Sequence, residues 1–374
     1  MNNKVDFLIV GAGLYGATIA RQLTDSGYKC LIIDRRKHIA GNVYTERSVH
    51  GYDIHKYGAH IMHTSNDRVI EFINRYSKWD TYNHNVIAKD EFGDIYHLPF
   101  NMNTFYDVFK VSDINDAQRI IKYEIKKYGV DNPTNLEEQA INMVGKTIYE
   151  KLIKDYTEKQ WNKKCVELAP DIIKRLPLRY SWNNNYFNDK FQGIPVDGYT
   201  KFVHNIIDNI ECKLGVDFAY NDWKDKVNYD IIYCGAVDEL CDYCFGELEW
   251  RSLFFVDKSY VYNGHNGQGT SVINNVSKGG PTRTIEHMWF MPDVVKPNIE
   301  SIITYEYPDN WSKGKERYYP INNAKNNELY RKYLKYIMTN MPKIVVGGRL
   351  GKYRYFDMDD VILEALNDGK IKYC

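Results

Sequence analysis

VGAGLYGATIA, residues 10–20, decides how this chain folds. Gly11, Gly13 and Gly16 stand at G-x-G-x-x-G spacing. One glycine permits a tight turn, one lets the main chain approach an anion, and one lets a helix lie close on a strand. The run before it, DFLIV at 6–10, is short and apolar, as a buried parallel strand should be. Beyond it, Ile19, Ala20 and Leu23 recur at helical spacing, and Gly27 ends the helix. A second apolar run, 30–33, leads to Asp34. Strand, glycine turn, helix, strand and acid make a mononucleotide-binding unit. The helix N-terminus offers unpaired N–H groups and about half a positive charge to a pyrophosphate. Asp34 is placed to accept hydrogen bonds from ribose hydroxyls.

Composition narrows the partners. The 374 residues carry 49 Lys plus Arg and 49 Asp plus Glu, so no global field draws the chain to nucleic acid or anionic lipid. Any anion site is local. The apolar start, 5–10, is too short for a signal peptide, and no run approaches a membrane-spanning length. Seven cysteines, an odd number at scattered spacings, suit reduced thiols and a cytoplasmic protein. No internal repeat is present. The 32 tyrosines offer flat apolar faces with polar tips, suited to sugars and bases.

Along the chain the texture changes twice. Residues 81–185 read as a mainly helical insertion, carrying DAQRIIKYEIKKYG, NLEEQAINMVGKTIYEKLI and KDYTEKQW. Short apolar runs then alternate with turns, as in YDIIYCGA, RSLFFVDKSYVY, TSVINNV and ESIITYEY, and read as strands, several antiparallel. The end returns to the opening pattern: a strand at 344–346, a glycine turn, and a helix opened by acids in FDMDDVILEAL. The expected fold is therefore α/β. A discontinuous Rossmann-like dinucleotide domain takes 1–80, about 195–240 and 325–374. The helical insertion forms a substrate domain, and 186–194 with 241–324 form an antiparallel sheet domain. Split dinucleotide folds are commoner among flavin proteins than among nicotinamide dehydrogenases.

Other motifs have plainer readings. Arg35 and Arg36 could suggest a 2′-phosphate, but the Asp34 carboxylate would repel one, so they read as solvated charges at a strand end. CDYC, 241–244, has metal or redox spacing, but no second pair lies at a matching interval and it opens no thioredoxin-like unit, so it reads as neither site. His60 and His63 read from spacing alone as an ordinary pair, although Gly58 and Ala59 leave room beside them for a cofactor. Tyr156 and Trp161 read as helix core. NNNYFNDKFQGIP, 183–195, is too polar for a strand and too aromatic for an idle loop. Its Tyr186 and Phe187 could stack on a base. Arg175, just upstream with Pro177 near it, reads as part of a mobile loop, while Arg283, Tyr318 and Tyr319 add donors suited to a diphosphate.

Taken together, VGAGLYGA, the GN at 41–42, HKYGAHIMHT, LPFNMNTF, YTEKQW, NYFNDKFQGIPVDGYTK, YYPIN and GGRLGKYRYFDMD resemble the bacterial UDP-galactopyranose mutases, in order along essentially the whole chain. The resemblance implies a homodimer with FAD, active when reduced by an external donor such as NAD(P)H. It implies interconversion of a nucleotide-linked pyranose and its furanose isomer, through an adduct between flavin N5 and the anomeric carbon. The product would serve cell-surface polysaccharide. Arg175 and Arg283 match the family's two phosphate-binding arginines, with Tyr156, Tyr186, Tyr319 and Tyr355 around them. Arg175 would ride a mobile loop near 165–180. His63 matches a histidine beside the flavin and completes the implied catalytic set. Trp161, Phe187, Asn274 and Asn85 match positions near the nucleotide. The implied cofactor set is Gly11, Gly13, Leu14, Gly16, Asp34, Arg35, Asn42, His60, Arg349, Tyr355 and Asp357. The helix near Asp357 would aim its N-terminus at the flavin, favouring the electron-rich reduced form.

This chain departs from the family's pattern on the substrate side. Pro281-Thr282-Arg283 replaces Pro-Tyr-Thr-Arg, Glu286-His287-Met288 replaces Glu-His-Lys, Ser181-Trp182-Asn183 replaces Thr-Phe-Asp, and Asn85-Val86-Ile87 replaces Asn-Ser-Pro. The same chemistry on dTDP-fucose, UDP-N-acetylgalactosamine or UDP-arabinose is the alternative. More remote are a flavin oxidoreductase of the amine-oxidase kind and a non-catalytic nucleotide-sugar binder.

Overall fold

The computed structural model describes residues 4–174 and 177–373. Strands Phe7–Val10, Cys30–Asp34, Glu211–Leu214, Ile231–Tyr233 and Ile344–Val346 form one parallel sheet, with Phe7–Val10 at its centre. Its strands come from both ends of the chain and from the middle. Side chains alternate across it, as a period of two requires. Phe7, Ile9, Cys30, Ile32 and Ile232 enter one core with the helices Leu14–Asp25, Gly198–Ile206 and Met358–Tyr373. Leu8, Leu31, Ile33, Ile231 and Tyr233 enter another, with Trp250 and with Tyr333 and Ile337 of the helix Ala324–Asn340. Burial on both faces explains why these strands read as unbroken apolar runs. Each such side chain contributes roughly 1.5–3 kcal/mol. Ligands in such sheets bind beyond the carboxyl ends of the strands, and the glycine turn lies at that end of Phe7–Val10.

A second sheet has seven strands, in the order Tyr319–Pro320, Trp250–Tyr262, Ile299–Asn310, Arg283–Glu286, Val272–Asn275, Val86–Lys89 and Ile95–Leu98. All its pairs are antiparallel except Val272–Asn275 with Val86–Lys89. Two boundaries differ from expectation. The segment 81–185 opens with two strands that extend this sheet and turns helical only at Met102–Phe109. Those strands are four residues each, too short to outweigh the helical runs that follow. Residues 191–193 pair instead with Met62–Thr64, in a separate two-stranded ladder. Among the described residues no helix is long and apolar enough to cross a membrane.

Candidate active site

A cavity of about 1550 Å³ runs from the carboxyl end of the parallel sheet to the face of the second sheet. At the first end is a cradle of bare main chain. Gly13 caps the Leu14–Asp25 helix without a side-chain bond, and the first turn holds no acid, so its N–H groups are left for an anion. Gly11 has φ +119°, which disfavours any side chain. A Cβ on Gly16 would lie 1.9 Å from the Gly11 carbonyl oxygen, and one on Gly41 would lie 3.1 Å from the Gly13 Cα. The two loops therefore touch, and Ala40 N–H donates to the Ala12 carbonyl (2.9 Å). Asp34 accepts from the main-chain N–H groups of Ala12 and Arg36, both at 2.8 Å. These residues fit a dinucleotide: a diphosphate on the helix N-terminus and a ribose at Asp34.

The neighbouring charges are paired. Glu239 bridges Arg35 and Arg317, at 2.7 Å to each. Arg36 is not the solvated charge its sequence position suggests. It bonds Asn42 (2.9 Å) and Glu316, and lies 4.6 Å from the Tyr57 ring centroid. Sequence reading missed Glu239, Glu316 and Arg317, which line the cavity from distant segments.

The second sheet supplies the opposite wall. Asn274 pairs with Arg283, and Arg283 with Glu306, across three neighbouring strands. The Arg283 Nε donates to Glu306 Oε1 (2.8 Å), whose side chain is fully buried. Burial opposes the Arg283 charge, but Glu306 together with Tyr156 and Tyr319 outweighs it and holds the guanidinium firmly protonated. Facing this wall, the helix Lys154–Trp161 presents Tyr156, Gln160 and Trp161 to the cavity. It follows directly on a π turn at Tyr149–Ile153, a local widening frequent at functional sites. Lys159 bonds the helix to the turn between the Asn274 and Arg283 strands, donating to the carbonyls of Asn275, Ser277 and Gly279 (2.9, 2.8 and 3.2 Å). Burial brings its ammonium down to about 8. Burial raises the Tyr156 phenol, so it stays a neutral donor.

Between the two ends stand the histidines. His63 Nδ1 bonds Asp189 (2.8 Å) and its ring stacks on Phe187, centroids 3.7 Å apart. An ionised carboxylate only accepts, so Nδ1–H is the donor in this pair and Nε2 is left facing away from Asp189. His60 Nδ1 donates to the Gly58 carbonyl (2.7 Å), and burial pushes the imidazole down to about 4. The 183–187 loop is latched by Asn101, whose Nδ2 donates to the Asn183 carbonyl (3.0 Å) and the Asn184 amide oxygen (2.9 Å). That latch, and the Tyr186 N–H to His84 carbonyl bond (2.8 Å), set Tyr186 and Phe187 at the cavity. Tyr319 stacks near Tyr355 (6.1 Å) and approaches Trp161 (6.3 Å). Tyr355 donates to Asp357 (2.8 Å), just before the Met358–Tyr373 helix.

The cavity thus gathers Gly11, Gly13, Leu14, Gly16, Asp34, Arg35, Asn42, His60, His63, Tyr156, Trp161, Tyr186, Phe187, Asn274, Arg283, Tyr319, Arg349, Tyr355 and Asp357. Arg175 lies outside the described residues. Asn85 is exposed and turns its amide toward the Asn83 carbonyl (3.4 Å), away from this lining. Its neighbours His84 and Val86 line the cavity instead. Tyr82, His84, Val86 and Ala88 are buried while 81, 83 and 85 are exposed, so strand alternation was the signal that could have found His84.

Fold and site define a dinucleotide-binding α/β protein whose cofactor cradle opens onto an arginine- and tyrosine-lined cleft. Residues 151–355 match the family model described as UDP-galactopyranose mutase, and residues 9–76 match an NAD(P)-binding Rossmann-like domain. The chain is 38% identical to a probable UDP-galactopyranose mutase of Klebsiella pneumoniae, over 98% of this chain and 94% of that one. It is 36% identical to the dTDP-fucopyranose mutase of Escherichia coli, over 99% and 98%. The chain belongs to the UDP-galactopyranose mutase family, a family of isomerases. Its fold is like that of a reduced UDP-galactopyranose mutase crystal structure, with a TM-score of 0.72 over 98% of this chain and 95% of that one at 14% identity. It is also like that of a protein from Exiguobacterium described as a putative protoporphyrinogen oxidase, with a TM-score of 0.63 over 98% of both chains at 9% identity.

Proposed function

We propose that the protein interconverts a nucleotide-diphosphate pyranose and its furanose isomer on reduced FAD, with UDP-galactopyranose and UDP-galactofuranose as the pair. The observation that carries this reading is the continuity of the cavity: the dinucleotide cradle and the Arg283 wall line one space, in a member of this family. Reduced flavin, when bound, supplies the nucleophile for the anomeric carbon. The chain's own residues do the rest. The glycine turn and helix N-terminus bind the cofactor diphosphate, Asp34 the ribose, and Asn42, His60, Arg349 and Asp357 the remainder. As the glycosyl–oxygen bond breaks, negative charge grows on the departing nucleoside diphosphate. Arg283, held by Glu306 through Nε, turns its remaining N–H groups to that charge. The phenols of Tyr156, Tyr186 and Tyr319 add donors, with Tyr355 beside them turned to Asp357, so the diphosphate is retained for recombination. Ring exchange moves a proton between two sugar hydroxyls, and His63 Nε2 is the acceptor beside Phe187. Trp161 and Phe187 offer faces to the base.

A second reading is a dTDP-linked 6-deoxy sugar, favoured by the nearly equal similarity to the dTDP-fucopyranose mutase. The family likeness further supports a cytoplasmic homodimer, reduced by a donor such as NAD(P)H and supplying furanose for cell-surface polysaccharide. The purified protein is expected to carry FAD, to be inactive when oxidised and active after dithionite. A colourless protein that takes up no FAD, or equal rates in both oxidation states, would reject the proposal.

A further inference from the structure

We propose that Lys159 is a positioning residue that sets the width of the nucleotide cleft, by tying the helix that carries Tyr156 and Trp161 to the strands that carry Asn274 and Arg283. The nucleotide in that cleft rests on the mutase reading above; the tie itself does not. The turn 275–282 joins the two strands and is folded by its own side chains. Asn275 Oδ1 accepts from the Ser277 N–H (3.1 Å) and hydroxyl, and Asn275 Nδ2 donates to the Gly279 carbonyl (3.1 Å). The Asn275 N–H bond to the Thr282 carbonyl (2.8 Å) closes the turn one residue before Arg283. The carbonyls of Asn275, Ser277 and Gly279 converge on one point, and the Lys159 ammonium fills it with a donor for each.

On the helix, Lys159 stands between Tyr156 and Trp161. Tyr156 and Arg283 are near enough across the cleft to act on each other's ionisation, so a shift of the helix changes the gap where a diphosphate would lie. The helix is entered through the π turn and leaves at Asn162, where φ is +52°. Arg251 also ties this end to the sheet, its Nε donating to the Gln160 carbonyl (3.0 Å). At Lys159 a cation is needed, because three carbonyl dipoles aimed at one place repel one another without it. Asp155, on the same helix, favours the charge. Glu158 is turned to Lys164 (2.8 Å) and Glu306 to Arg283 (2.8 Å), while Lys278 in the turn and Arg251 and Arg283 on the sheet carry the lysine's own sign. Burial outweighs Asp155, so the ammonium loses its proton as pH rises through about 8. A neutral amine has one donor fewer, which frees a carbonyl, and the attraction of the charge for all of them is gone.

The test titrates FAD-loaded wild type, Lys159→Met and Lys159→Arg with UDP on either side of the lysine's titration, at about pH 7 and about pH 9.5. Methionine keeps the packing of the stem and removes the ammonium. At the lower pH it is expected to weaken UDP binding roughly 10-fold. Arginine stays protonated throughout and is expected to recover most of the affinity at both values. Wild type is expected to approach the methionine variant at the higher pH. Equal affinity in wild type and Lys159→Met at the lower pH overturns the proposal. So does a ratio between them that is the same at both, because packing alone does not titrate. Hydrogen exchange of the main-chain amides 154–161, read at about pH 7 without nucleotide, tests the tie by itself. Faster exchange in Lys159→Met, slowed again in Lys159→Arg, supports it, and unchanged exchange overturns it. Wild-type protein that binds neither UDP nor dTDP defeats the mutase reading instead, and the exchange then decides the role of Lys159.

Discussion

Arg283→Ala is expected to lower kcat roughly 10²- to 10³-fold while flavin stays bound. The guanidinium is the described cation on the cavity wall where the leaving diphosphate would gather charge, and the cofactor cradle lies on the other sheet. The substitution has a second consequence. Glu306 is fully buried, Arg283 Nε is its ionic partner, and its Oε2 has no hydrogen-bond partner among the described residues. Removing the arginine strands that carboxylate, and breaking such a pair typically costs about 3–5 kcal/mol. The thermal midpoint should therefore fall along with the rate. Arg283→Lys separates the effects. It retains a cation for Glu306 but loses the planar fork that grips a phosphate, so stability should largely recover while turnover stays low. Steady-state rates, flavin content and thermal melts on the two variants measure this. Near-wild-type turnover in both would remove Arg283 from the chemistry.

Gly16→Ala should yield protein stripped of most of its flavin. A Cβ there would sit 1.9 Å from the Gly11 carbonyl oxygen and 3.0 Å from the Ile9 side chain. The first contact is main chain, so no rotamer change relieves it. The helix must back away from the central strand, a strain of roughly 1–3 kcal/mol or more. That movement also withdraws the N–H groups that would hold the cofactor diphosphate. Visible absorbance of the purified variant and its affinity for added FAD check the outcome. Full occupancy with unchanged affinity would show that the turn tolerates a side chain and that the cradle is placed elsewhere.

What could be read from residues alone follows from where the information lies. The opening unit was legible because its strand, glycine spacing, helix and Asp34 all lie within one short stretch, and Gly16 meets the Gly11 carbonyl inside it. The helix at Lys154–Trp161 and the long strands Trp250–Tyr262 and Ile299–Asn310 were legible because their patterns run far enough to show a period. The short strands Val86–Lys89 and Ile95–Leu98 were hidden inside a helical region. The parity error between Asn85 and His84 came from the same place, since a one-residue shift exchanges the two faces of a strand. Motif matching favoured the asparagine, whereas alternation from Tyr82 to Ala88 favours the histidine. Glu306, which positions Arg283, and Glu239, which bridges Arg35 and Arg317, were illegible for another reason. Each meets its partner through tertiary folding, and no local pattern marks a carboxylate that will be buried beside an arginine.

The central claim is isomerisation without net oxidation or reduction, and counting turnovers per reducing equivalent tests it most directly. Dithionite-reduced protein is incubated without oxygen with UDP- and dTDP-linked furanoses and pyranoses, and the products are separated by chromatography. The account predicts that one nucleotide sugar and its ring isomer interconvert many times per bound flavin, with the reductant unspent. Consumption of one reducing equivalent for each product formed, or no ring isomer from any substrate, would contradict it.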